Sequence, residues 1–192
     1  MYIFVFLGLF TPGPNIILLT ASGAHFGFRA TIPHVLGVAI GCGVVDGSAG
    51  LGLAALLLAV PTLTVGLKLV AAIWILWLAW ALSRVSDAPG ARHASAGERP
   101  FTLLEAVLFQ WINPKIWAVA LAAATGYPAG LSAEMEALRL GTAFTSINLI
   151  VCLFWTFAGT LLARLLTSPF AWTAFRRIMG FLLAASALMV FL

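Results

Sequence analysis

The stretch "LFTPGPNIILL", Leu9 to Leu19, places two prolines and a glycine inside one of the most apolar parts of the chain and follows them with an asparagine. Proline removes a backbone donor and its ring clashes with the preceding turn, so one regular helix does not run through Pro12 and Pro14. Each proline also restricts the residue before it, and Gly13 between them tolerates unusual dihedrals. In hydrocarbon the carbonyls freed by such a break have no water to bond, so the break must face protein or a wet cavity.

The rest of the chain identifies hydrocarbon as its surroundings. Of 192 residues, 62% are hydrophobic and 8% charged, whereas a soluble domain has about a quarter of its residues charged. No formal charge occurs from Met1 to Phe28, Leu69 to Ser83, Ile116 to Ala133, Leu140 to Ala163 or Ile178 to Leu192, and Asp46 alone interrupts Thr31 to Leu67. A spanning helix takes about 20 residues, so six spans use roughly 120 and leave short connections. The runs place spans at about 3 to 23, 35 to 58, 65 to 83, 104 to 124, 140 to 162 and 172 to 192, the second of which could divide into two shorter segments. The start lacks the Lys/Arg-rich region of a signal peptide and is read as the first span.

Basic residues orient the spans. Arg29, Arg84, Arg92, Arg99, Arg164, Arg176 and Arg177 fall after spans one, three and five, against Lys68 and Arg139 on the other side. Seven against two places the first group in the cytoplasm and both termini outside. Charges spread over short connections do not form the clustered basic face that nucleic acid requires. Membrane lipids are the expected surroundings of the seven tryptophans and fourteen phenylalanines, although Trp74, Trp77 and Trp80 form a series that could equally pack inside.

The polar segment "RVSDAPGARHASAGERP", Arg84 to Pro100, divides the chain into halves of three spans, 1–83 and 103–192, joined by a cytoplasmic connection over 84–102. An odd number of crossings makes the second half enter from the opposite side, as an inverted repeat requires. Pro14-Asn15-Ile16 precedes Pro114-Lys115-Ile116 by one hundred residues, within "LFTPGPNII" and "LFQWINPKI". The expected fold is therefore an all-α membrane protein: six transmembrane helices as two inverted three-helix repeats, with the first and fourth helices broken.

Discontinuous helices at midmembrane are where transporters bind solutes, and Asn15 adds an amide with donor and acceptor capacity; a structural kink or a tight helix crossing is the alternative for each break. Lys115, some eleven residues into its span, should face a cavity, lose its charge or contact carbonyls, unless it snorkels, and Asn113 could orient the same site. Asp46 sits among Gly37, Gly41, Gly43, Gly47, Gly50 and Gly52. It can serve as a proton-coupling group, as a partner of Lys115, or as a carboxylate at a polar crossing between shorter segments. Gly37 and Gly41 form a small-xxx-small step that permits close helix approach.

Asn148 is a candidate internal hydrogen-bonding residue, Lys68 an interfacial anchor, His34 a local hydrogen-bonding group at a helix entrance, and Glu105 a helix-starting acid. Cys42 and Cys152 lack redox or zinc spacing and read as small buried hydrophobes. No triad, metal cluster or phosphate loop stands out, which argues against an enzyme.

"TPGPN", Thr11 to Asn15, together with "NPK", Asn113 to Lys115, resembles the lysine exporter superfamily, in particular its homoserine and threonine resistance branch, over nearly the whole chain. The third-span pattern departs from it: after Lys68, Ala71 and Ala79 stand where glycines are usual and Trp74 where a tyrosine is usual. The resemblance implies a bacterial cytoplasmic-membrane exporter of amino acids or related small zwitterions, driven by the proton motive force and needing no organic cofactor. Its substrate path would run along Thr11, Pro12, Gly13, Pro14, Asn15, Asn113, Pro114 and Lys115, with Asp46, Lys68 and Asn148 as coupling or polar contacts. An exporter of a metal ion or another solute is the main competitor, and a membrane scaffold or intramembrane enzyme the lesser one. A metal exporter would need a tighter group of carboxylates, histidines or thiols than Asp46, His34 and the two cysteines provide. A homodimer is compatible with so small a unit, and no surface patch demands one.

Overall fold

The structure, a computed structural model, describes residues 1–53, 61–84 and 99–190. Among these it is all-helical: α1 (Tyr2–Phe10), α2 (Pro14–Phe26), α3 (Phe28–Gly50), α4 (Pro61–Arg84), α5 (Leu103–Ile112), α6 (Pro114–Gly126), α7 (Ala133–Ala163) and α8 (Pro169–Ser186), followed by a 3-10 turn, Ala187–Val190.

Three helices, α3, α4 and α7, are long and apolar enough to cross a membrane unaided. The pairs α1/α2 and α5/α6 qualify only when joined, and they bend by 58° and 66° at their breaks. Each half-helix has 9 to 13 residues, about 14–20 Å at 1.5 Å per residue, short of a core about 30 Å thick. The eighteen residues of α8 carry Arg176 and Arg177 and fall outside this length-and-composition test, so five spans, rather than the expected six, meet it among the described residues.

Several expected boundaries are corrected. The second span begins at Phe28 rather than near 35, because Pro33 is accommodated inside α3. That helix ends at Gly50, followed by Leu51 and by Gly52 at a positive φ of 94°, a conformation glycine adopts without strain; the remainder of the expected 35 to 58 span, from 54, lies outside the described residues. The fifth span starts at Ala133 rather than near 140, with the Ser132 hydroxyl capping its first turn. Most of the central connection, 85–98, lies outside the described residues.

The bundle is organised around α2, in which every residue from Pro14 to Ala24 is buried. One face joins a core with Val5 of α1, Val38 of α3, Ile116 of α6 and Phe144 of α7. The other packs Ile17 and Leu18 against Ile75 of α4, Phe109 of α5 and Leu183 of α8. In lipid such contacts are held by close van der Waals fit more than by exclusion from water, and small residues supply that fit. At Gly41 an added Cβ would stand 2.7 Å from Gln110 Cγ and 2.9 Å from Val107 Cα; at Gly50 it would stand 2.9 Å from Ala137 Cα. The glycine face of α3 thus brings α5 and α7 to backbone contact, the close approach expected of Gly37 and Gly41. Trp74, Trp77 and Trp80 turn outward, 43%, 51% and 52% exposed, which decides between their two sequence readings.

Charged residues gather at the two ends of the bundle, pairs of opposite sign at each. Arg29, Arg84, Arg99 and Arg164 lie at one end, at the start of α3, the end of α4, the approach to α5 and the end of α7, and Arg176, eight residues into α8, lines a cavity there with Arg99. At that end Thr102 and Glu105 form a capping box on α5, and Arg99 pairs with both Glu105 oxygens at 2.6 and 2.7 Å. This pairing raises the Arg99 pKa. At the other end Arg139 is tied to Glu136 at 2.6 Å and to the Tyr127 carbonyl at 2.8 Å.

Candidate functional site at the two helix breaks

Each break ends with a proline as the first residue of a 13-residue helix, Pro14 for α2 and Pro114 for α6. Proline suits this place because its missing N–H would be unpaired there anyway. The residue before it decides the cap. Asn113 places its side-chain oxygen 3.2 Å from the Lys115 N–H, whereas Gly13 has no side chain with which to cap α2.

Gly13 has φ −169°, extended backbone open to any residue, so conformational freedom does not explain the glycine there. Space does: a Cβ would stand 2.7 Å from Lys115 Cδ and 3.2 Å from its Nζ. The Lys115 side chain lies across the first break and its ammonium donates to the Thr11 carbonyl. That carbonyl makes no helical bond once Pro12 and Gly13 interrupt the chain, and a half-buried cation in an apolar bundle needs such an acceptor.

Below the breaks lies a buried amide chain. Asn15 and Gln110 exchange two hydrogen bonds, Asn15 Nδ2 to Gln110 Oε1 at 2.7 Å and Gln110 Nε2 to Asn15 Oδ1 at 3.2 Å. Gln110 also donates to the Ala106 carbonyl at 2.8 Å. The Cys42 thiol donates to Gln110 Oε1 at 3.5 Å, Asn148 Nδ2 to Cys42 Sγ at 2.9 Å, and the Cys152 thiol to Asn148 Oδ1 at 3.5 Å. The cysteines are buried free thiols, as expected, and they also serve as links between amides.

Of the sequence-predicted residues, the structure gathers Thr11, Pro12, Gly13, Pro14, Asn15, Asn113, Pro114 and Lys115 at the two adjoining breaks, and Asn148 reaches them through Cys42. Asp46 of α3 is fully buried, and neither carboxylate oxygen has a hydrogen-bond partner among the described residues. It forms no ion pair with Lys115, which turns to Thr11 instead. Lys68 lies half-buried on α4, toward the end opposite Arg84. His34 stands within α3 rather than at its entrance and makes no hydrogen bond through either ring nitrogen among the described residues, correcting its reading as a local hydrogen-bonding group.

Gln110 is the residue that sequence reading passed over. Its signal was present, a lone amide in an otherwise apolar turn three residues before Asn113, but its role depends on a partner 95 residues away. Among the described residues no group of three or more His, Cys, Asp or Glu is placed to hold a metal ion.

The LysE type translocator family matches residues 6–192, nearly the whole chain, and the chain belongs to that family of transporters rather than to an enzyme family. No curated protein and no solved structure matches it.

Proposed function

We propose that this LysE type translocator exports amino acids or closely related small zwitterions from the bacterial cytoplasm, driven by the proton motive force, through a site made of both helix breaks. The observation that carries this reading is Lys115 of the second break bonded to the Thr11 carbonyl of the first.

The chemistry suits a zwitterion. The first turn of α2 presents backbone N–H groups at the positive end of its dipole with no side-chain cap, a place that favours a carboxylate. Lys115 can turn from Thr11 to that carboxylate. The carbonyl it leaves then accepts from the substrate ammonium, so each charged group exchanges one partner for another. Asp46, buried one turn from Cys42, would take up and release the coupling proton. Asn148 and the Asn15–Gln110 pair hold the backing of the site, and Lys68 anchors α4 at the outer surface.

The matched breaks support two inverted repeats. Pro14 and Pro114 start helices of equal length one hundred residues apart, and each half adds two further helices. With α8 and its 3-10 turn as the sixth span, the basic end lies in the cytoplasm and both termini lie outside. The repeats 1–83 and 103–192 would rock about the breaks to expose them to each side in turn. Both breaks belong to one polypeptide, so the site needs no second copy even if the protein is a homodimer.

Efflux of a panel of labelled amino acids from proteoliposomes, with and without an imposed pH gradient, tests this. Gradient-stimulated movement of at least one amino acid is expected, and Asp46→Asn should retain downhill exchange while losing the response to the gradient. Failure of well-folded protein to move any amino acid would reject the substrate class.

A further inference from the structure

Asn113 and Asn15 stand at the starts of α6 and α2 and are used in opposite ways. Asn113, at the N-cap of α6, turns its side-chain oxygen to the Lys115 N–H at 3.2 Å. Asn15, the second residue of α2, turns its side chain away from its own helix end and spends it on Gln110. Asparagine near a helix start readily bonds neighbouring backbone N–H groups instead. Such groups are available here. The first hydrogen bond of α2 runs from the Ile17 N–H to the Gly13 carbonyl at 3.0 Å, and the N–H groups of Asn15 and Ile16 ahead of it have no partner among the described residues.

Gln110 is what holds Asn15 away. It is fully buried on α5, and each end of its amide has two partners. Its Oε1 accepts from Asn15 Nδ2 at 2.7 Å and from the Cys42 thiol at 3.5 Å. Its Nε2 donates to Asn15 Oδ1 at 3.2 Å and to the Ala106 carbonyl at 2.8 Å. The Ala106 carbonyl only accepts, and Cys42 Sγ, which accepts from Asn148 Nδ2 at 2.9 Å, has its S–H left to give. These two partners fix which end of the Gln110 amide is nitrogen and which is oxygen. The orientation of Asn15 follows: Oδ1, the atom able to accept from the first-turn N–H groups, is committed to Gln110 Nε2.

We propose that Gln110, steadied by the Cys42 thiol, is a positioning residue that keeps Asn15 from capping α2 and so leaves the start of that helix open to the carboxylate of a substrate. The use of the open end rests on the export reading; the hold on Asn15 does not.

Two measurements on the full chain test this. The first is proton–nitrogen NMR in lipid nanodiscs with isotope-labelled isoleucine, the Ile16 signal being identified by its loss in Ile16→Val. Gln110→Leu frees Asn15 Oδ1 for the first-turn N–H groups while its Nδ2 stays unpaired. The Ile16 amide proton should therefore move downfield, as amide protons do on gaining a hydrogen bond. Adding Asn15→Ala removes the acceptor and should bring the proton back.

The second is the concentration dependence of exchange in proteoliposomes, without a pH gradient, of L-alanine, L-serine, L-leucine and L-glutamine. For those that the parent exchanges, Gln110→Leu should raise KM about tenfold, the worth of one hydrogen bond that the carboxylate must now displace, with a smaller change in maximal rate. The double variant should have a KM at least about threefold below that of Gln110→Leu, a recovery that lost packing does not give. Cys42→Ser, which keeps a donor for Gln110, should raise KM less than Cys42→Ala. This pair keeps the test decisive should Gln110→Leu fail to fold, because a thiol that is only a small apolar filler is replaced better by alanine than by serine.

The proposal is overturned if the Ile16 proton stays in place in Gln110→Leu, if the double variant has the higher KM, or if Cys42→Ala has a lower KM than Cys42→Ser. A shifted Ile16 proton in a protein that exchanges no amino acid rejects the export reading and leaves the hold on Asn15 standing. Exchange with an unmoved proton does the reverse.

Discussion

At the first break three residues, Thr11–Gly13, separate α1 from α2, and the glycine at the N-cap of the helix that follows has no side chain to close it. At the second, Asn113 alone separates α5 from α6, and its side chain closes the start of the helix. The buried helix α2 sits at the centre of the bundle, while only Ile116, Ala120 and Ala123 of α6 are buried. One break therefore leaves backbone groups available at the core, and the other, already satisfied, sends a lysine across to them. Two segments of common design need not do the same work: in the proposed export reading the uncapped one offers a place to bind, and the capped one supplies the charge that occupies it.

The largest effect should come from removing that charge. Lys115→Met, reconstituted at equal folded amounts, should transport about thirtyfold more slowly, the worth of a charge-assisted hydrogen bond of about 2 kcal/mol. Gly13→Ala crowds Lys115 without straining the backbone, so transport should fall about tenfold, since a small misplacement at a reacting site is costly, while stability falls by no more than the roughly 1 kcal/mol that separates alanine from glycine at an N-cap. A transport loss out of proportion to that change in stability would show that the glycine is there for the lysine and not for the turn.

Gln110→Leu should destabilise the fold by about 1–3 kcal/mol, because Asn15 is left as a buried amide without its partner; unfolding followed by tryptophan fluorescence checks it. The smallest effect belongs to the cap itself. Asn113→Ala should cost about 1 kcal/mol by the same measurement.

The breaks were legible in the sequence because proline acts locally: Pro14 and Pro114 end one helix and begin the next whatever surrounds them. Helix ends were less so. Pro33 lies only a turn and a half into α3, where few upstream carbonyls exist for it to disturb, so the helix starts earlier than a proline there suggests. The amide pairing of Asn15 with Gln110 and the turn of Lys115 toward Thr11 join residues 95 and 104 apart, and no local pattern encodes such contacts. Asp46 shows the same limit. Its burial was readable from the apolar run around it, but not that Lys115 would bond elsewhere.

The central claim is that both breaks form one site through the Lys115–Gly13–Thr11 contact. A double-mutant cycle on transport rate, with Gly13→Ala, Lys115→Met and the two combined, tests it most directly. The account predicts that the double variant is no slower than Lys115→Met alone, because the alanine acts only by displacing a side chain that is already gone. Rate losses that multiply, about tenfold on top of about thirtyfold, would contradict it and make the breaks two independent features.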